Sequence, residues 1–181
     1  QLLRSVVLTA ATCLFFFSIS KIGLAEATAI MDINPVLITL GAVLFLGEKI
    51  GPRRFLGIIA SMIGALIIIR PGTGVFTMYA VLPLIAAVCY ATYNLTTRFV
   101  GNQESPWTSL LYSALFGAVV FSCIVPFFWQ PLSLFAAGLM VLLSLCGTFS
   151  QLFLIRAMAI GEASLLAPFA YVGLIYATIW D

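Results

Sequence analysis

Three groups of residues in this 181-residue chain have types and spacings that can do chemistry inside an apolar protein. The first is Asp32, Asn34 and Pro35, nearly adjacent in an otherwise apolar stretch. Asp32 lies some way inside that stretch, at a depth of roughly 9 Å if the segment is a helix rising ~1.5 Å per residue. An ionised carboxylate at such depth costs at least about 2 kcal/mol, so these groups face a bundle interior or a water-filled path. Asp32 there can bind a cation or exchange a proton. The plainer alternative is a place near the outer interface, with the side chain reaching for water or pairing with Lys21. Asn34 adds a polar side chain, and Pro35 removes a backbone donor and can open the helix locally. The second group is Tyr90, Tyr93, Asn94 and Thr97, whose 3–4 spacing puts them on one helix face. Facing a cavity, they offer ring faces and hydrogen bonds to a planar or polar metabolite; facing lipid headgroups near Arg98 and Asn102, they form an aromatic belt. Tyr112, Gln151, Tyr171 and Tyr176 are further candidates for the same cavity, with ordinary interhelical hydrogen bonding as their plainer role. The third is Glu48, set among bases in Leu46-Gly47-Glu48-Lys49 and Arg53-Arg54. It can pair with Lys49 or Arg53, which suits a structural or gating role better than substrate contact.

Other chemistries find no support. The chain has no histidine, which excludes His-based triads and metalloproteases, and Asp32 has no second intramembrane aspartate to pair with. Cys13, Cys89, Cys123 and Cys146 lack CxxC spacing, so neither a metal nor a cofactor is expected, and the cysteines read as small buried hydrophobes. No GxxxxGK[ST] loop is present for nucleotide hydrolysis. The net charge of +2 comes without a basic, aromatic-interleaved patch, so nucleic acid is not an expected partner. No enzymatic activity is expected.

The elements that must position these residues are apolar blocks. With 63% hydrophobic and 8% charged residues, the chain exceeds what a soluble domain of this length can bury. The blocks span 5–20, 27–46, 55–69, 75–95, 108–129, 132–155 and 163–181, and nearly every charge falls between them. A helix needs ~20 residues to cross the hydrocarbon core, and a spanning helix satisfies its own backbone. The ~10-residue alternating segments of a β-barrel do not occur. The expected fold is an all-α polytopic membrane bundle, with the lipid bilayer as a partner. Trp107 and Trp129 read as interface anchors. Gly57/Ser61, Ala60/Gly64, Ser113/Gly117 and Ala114/Ala118 have the small-xxx-small spacing that lets helices approach closely. Pro35, Pro83 and Pro168, inside blocks, mark either hinges or kinks satisfied by neighbouring helices.

If the blocks alternate across the membrane, one side carries Arg4, Lys49, Arg53, Arg54, Arg98 and Arg156, and the other Lys21 and Arg70. Basic short loops stay inside, so the Lys49–Arg54 loop is expected to be cytoplasmic. The stretch Phe17-Ser-Ile-Ser-Lys-Ile-Gly-Leu-Ala-Glu26-Ala-Thr28 returns as Phe153-Leu-Ile-Arg-Ala-Met-Ala-Ile-Gly-Glu162-Ala-Ser164. In both, a helix ends in a base, a tight link follows, and an acid and a hydroxyl suit the next helix start, where they offset unpaired N–H donors. An odd number of spans separates the copies, so they cross in opposite directions, the pattern of many secondary transporters.

These motifs, with Asn34-Pro35-Val36, Leu46-Gly47-Glu48-Lys49, Arg53-Arg54-Phe55-Leu56-Gly57, Gly64-Ala65-Leu66 and Arg70-Pro71-Gly72, resemble the EamA domain of the drug/metabolite transporter superfamily. The resemblance implies a fragment of a ten-helix transporter made of two inverted five-helix repeats. Residues 1–72 would hold the last three helices of the first repeat, and 73–181 the first four of the second, the last incomplete. Starting at Gln1 and stopping inside an apolar block, the chain reads as an internal piece of a longer protein. The function implied is secondary transport of a small organic metabolite by alternating access, as importer or exporter, in the plasma (bacterial inner) membrane. The cargo class is broad: an amino acid, vitamin, nucleotide-derived or drug-like molecule. A proton is the candidate coupling ion, and monomer and homodimer both stay open. A non-transporting sensor or assembly protein on the same fold is the alternative, and an intramembrane enzyme a more distant one.

Overall fold

The computed structural model describes residues 1–48, 51–52, 55–60, 63, 78–101, 104–128, 133–167 and 169, and among them there is no strand. The first helix, α1, runs Leu2–Ile22 and stops where Gly23 adopts φ 87°, a conformation that favours glycine, and its N–H turns back to the Ile19 carbonyl. What the sequence presents as one second span is two helices, α2 (Leu24–Met31) and α3 (Asn34–Leu46), separated by Asp32 and Ile33. Pro35 sits in the first turn of α3, where its missing N–H costs nothing, so the sequence breaks here instead of kinking. α3 ends at Gly47, φ 67°, with the N–H groups of Gly47 and Glu48 both returning to the Ala42 carbonyl.

A 3₁₀ turn, Met78–Ala80, leads into α4 (Val81–Val100). The expected end at Leu95 is too early: the helix continues through Thr97 and Arg98, because those side chains find partners in the protein. Thr97 Oγ1 donates to the Tyr93 carbonyl at 2.7 Å, and Arg98 reaches a neighbouring helix. α5 (Pro106–Ile124) starts at Ser105, whose hydroxyl accepts the Thr108 N–H at 3.2 Å, and α6 (Leu134–Ile160) starts at Ser133, which caps the Ala136 N–H in the same way. A final short helix, α7, covers Ala163–Leu166. Most of the third apolar block and most of the seventh lie outside the described residues.

Leu2–Ile22, Met78–Val100, Pro106–Phe127 and Leu134–Ile160 are each long and apolar enough to cross a membrane. α4 is central, with α1, α2, α3 and α6 packed around it. Small residues allow the close approaches. Ile38 and Ala42 of α3 meet Ala91 of α4, Met158 of α6 and Ala163 of α7 in one buried cluster. At Gly101 a Cβ would come within 2.8 Å of the Ala159 Cα, so only glycine fits there. By contrast, α6 leaves Leu139, Met140, Val141, Leu142 and Leu143 more than half exposed, wrapping most of its circumference. Such a surface is stable in lipid and not in water. The protein is an integral membrane protein.

Candidate functional site

Arg4, in the first turn of α1, is completely buried. Its Nη2 donates to the Ser109 carbonyl and, at 2.9 Å, to the Ser113 hydroxyl, both on α5. The guanidinium lies 5.5 Å from the centroid of the Tyr93 ring on α4. Tyr93 is itself wholly buried, accepts a hydrogen bond from Gln151 Nε2 of α6, and stacks on Tyr90 at 5.9 Å. Asn94, 1% exposed, donates to the Tyr90 carbonyl at 2.8 Å. Three helices thus place polar groups around a cation carried by a fourth. The Nε and Nη1 atoms of Arg4 are buried with no hydrogen-bond acceptor among the described residues. The carboxylate whose field reaches it, Glu104, is exposed and held by Gln1 Nε2, and no ion pair joins it to Arg4 among the described residues.

By order of magnitude, the favourable and unfavourable terms at Arg4 largely offset one another. An arginine in a membrane helix costs up to about 3 kcal/mol to insert. Contact with a desolvated aromatic face returns about 2 kcal/mol, and charge-assisted hydrogen bonds each about 1.5–3 kcal/mol. The open N–H donors then cost about 1–3 kcal/mol apiece.

The site corrects the sequence reading in several places. Arg4 was expected among the basic loop residues and is instead the centre of the polar cluster. Its partners Ser109, Ser113 and Tyr93 are remote in sequence, and no local signal marks it. Tyr93 and Asn94 are buried and Tyr90, stacked on Tyr93, is partly buried. Gln151 joins them. Tyr112, 49% exposed, does not. Tyr171, Tyr176 and Pro168 fall outside the described residues.

A second polar place is the gap between α2 and α3. Asp32 is half-buried there. Asn34 is 6% exposed, and its Oδ1 has no hydrogen-bond partner among the described residues. Asp32 therefore marks the end of a short helix and does not project from the middle of a continuous one.

Glu48 forms the third. Its two carboxylate oxygens accept the backbone N–H groups of Ala163 and Ser164, each at 3.0 Å, and the one on Ala163, Oε1, lies 3.6 Å from Arg98 Nε. Arg98 Nη1 in turn donates to the Met158 and Ala159 carbonyls at the end of α6, at 3.1 Å each. A cation at one helix C-terminus and an anion at the next helix start both suit the helix dipoles. The expected partners Lys49 and Arg53 lie outside the described residues. Glu162 makes no side-chain cap, and Thr28 lies inside α2 and donates to the Leu24 carbonyl, so neither caps as the repeated motif suggested. Burial pushes the Glu48 carboxyl up. Hydrogen bonds from the Ser164 hydroxyl and from the two amides, with the Arg98 charge, more than reverse this and hold it below the ordinary carboxylate value.

Membrane-spanning helices with polar groups held between them define a polytopic α-helical membrane protein. Residues 1–70 match the EamA-like transporter family. Along most of its length the chain is similar to the pseudopaline exporter CntI of Pseudomonas aeruginosa, with 28% identity over 92% of this chain and 59% of that protein. It is 30% identical to the riboflavin transporter of Vibrio cholerae over 80% of this chain and 49% of that protein. With the S-adenosylmethionine uptake transporter of Rickettsia prowazekii it shares 25% identity over 99% of this chain and 61% of that protein. The chain spans about three-fifths or less of the length of these relatives. No solved structure matches it.

Proposed function

We propose that this chain forms the central helices of a secondary transporter that moves a small organic metabolite by alternating access. The observation carrying this reading is the polar cluster between the two halves of the chain. Arg4 comes from residues 1–72, and Tyr93, Ser109, Ser113 and Gln151 come from residues 73–181. In a chain this apolar, buried polar groups at depth are costly, and their concentration between two halves fits a substrate path. The relatives' names, a pseudopaline exporter, a riboflavin transporter and an S-adenosylmethionine uptake transporter, support a small-molecule cargo.

On this reading residues 1–72 and 73–181 belong to two inverted five-helix repeats, and rocking of one against the other exposes the cluster to either side. Glu48 is the tie between them, because its carboxylate on the first repeat holds the start of α7 in the second. Opening on that side breaks these bonds. The break at Asp32–Asn34, with Pro35, is a hinge in the second span, and Asp32 is the candidate proton-coupling group. The basic ends carrying Lys49–Arg54, Arg98 and Arg156 lie on the cytoplasmic side of a bacterial inner membrane.

Counterflow of labelled metabolites into proteoliposomes tests the reading. Saturable exchange of one compound class is expected. No exchange of any compound by folded, correctly inserted protein would favour a sensor or assembly role instead. Asp32→Asn separates coupling from transport: unchanged flux with unchanged pH dependence would remove Asp32 from coupling.

A further inference from the structure

Arg4 holds a full positive charge that the protein uses only in part. Of its five N–H donors, two, both on Nη2, serve Ser109 and Ser113; Nε and Nη1 hold the rest without an acceptor among the described residues. The other described cations are committed elsewhere. Lys21 lies over the Phe17 and Tyr79 rings, Arg156 over the Trp107 ring, and Arg98 on the α6 carbonyls and Glu48. The groups in contact with Arg4 are neutral, the Tyr93 ring, the Ser109 carbonyl and the Ser113 hydroxyl, and the exposed Glu104 is the carboxylate whose field reaches it.

We infer that Arg4 is the anion-recognising group of the transport site, and that the transported molecule carries a carboxylate. This rests on the transport reading above. One guanidinium among neutral hydrogen-bonding groups balances one negative charge. A doubly charged phosphate would be left with an uncompensated charge in a low-dielectric setting, whereas a carboxylate matches both the charge and the planar donor geometry of arginine. In the described conformation α1, α4 and α5 close over the guanidinium, and the Ser109 carbonyl and Ser113 hydroxyl stand in as neutral acceptors. When the halves part, the substrate carboxylate replaces them and takes the open donors too. Glu104, exposed and tethered by Gln1, adds a negative field at long range without filling those donors. Recognition by charge at Arg4 leaves the rest of the molecule to be read by other groups.

The test uses purified protein in proteoliposomes and compounds matched in pairs with and without a carboxylate: nicotinate and nicotinamide, pantothenate and panthenol, tryptophan and tryptophanamide. Each is measured for counterflow and as an inhibitor of counterflow. The wild type is expected to favour the carboxylate member of a pair at least tenfold. Arg4→Gln should abolish that preference, and Arg4→Lys should retain part of it. Equal handling of both members by wild type, or an unchanged preference in Arg4→Gln, overturns the inference while leaving transport standing. If neither variant inserts and melts like wild type, Arg4 is a structural clamp and the inference is overturned. Absence of flux for every compound counts against the transport reading, and the inference falls with it.

Discussion

Two bonded pairs define how single residues act. Tyr93 and Gln151 satisfy each other in a buried setting, so removing one strands the other. Gln151→Leu should destabilise the protein by about 1–3 kcal/mol, a fall of several degrees in melting temperature. The double variant with Tyr93→Phe should be less destabilised than the two single effects added, because both polar ends are then gone. Additive losses would mean that the pair is not coupled. Glu48 gives the pH dependence. Its folded pKa lies below the unfolded value, so its contribution is present in full above the ordinary carboxylate value of 4.5 and is lost as pH falls through the lower folded one. Melting temperature should fall in that acid window for wild type, and Glu48→Gln should flatten the fall. Of this scale, Asp32, Tyr93, Asn94, Gln151 and Glu48 stood out in the sequence because each is polar within or beside an apolar run. Arg4 did not stand out, because a base near the end of an apolar block reads as a loop charge unless its partners, about a hundred positions away, are known.

Helices and their boundaries were legible to the extent that apolar run length decides them. The run read as the second span is one block of apolar residues, yet Asp32–Ile33 splits it, and only Pro35 announced this. The end of α4 was misplaced because Thr97 and Arg98 look like interface residues and are held by helix carbonyls instead. The break and the close contacts make separate predictions. Pro35→Ala restores a backbone donor near the break. It should stiffen the joint, raising the melting temperature slightly while lowering turnover several-fold in counterflow. Equal turnover would argue against a hinge. Gly101→Ala puts a Cβ against the Ala159 backbone, which cannot move aside, and should destabilise by about 1–3 kcal/mol. Gly138→Ala, where a Cβ meets nothing within 4 Å, should be neutral or stabilising by up to about 1 kcal/mol through helix propensity.

For the whole molecule, membrane residence was clear from composition, and the EamA resemblance from short motifs in order. The packing of α4 at the centre was not, because uniformly apolar helices carry no periodic signal to say which face meets which neighbour. The account's central claim concerns this scale: one polar site between two halves, open to each side in turn. A direct measurement replaces Cys13, Cys89, Cys123 and Cys146 with alanine, introduces Gln151→Cys, and labels it with a membrane-impermeant maleimide in sealed vesicles of each orientation. The account predicts labelling from both sides, with a transported substrate slowing the reaction from each. Labelling from one side only, by protein that still catalyses counterflow, would contradict it.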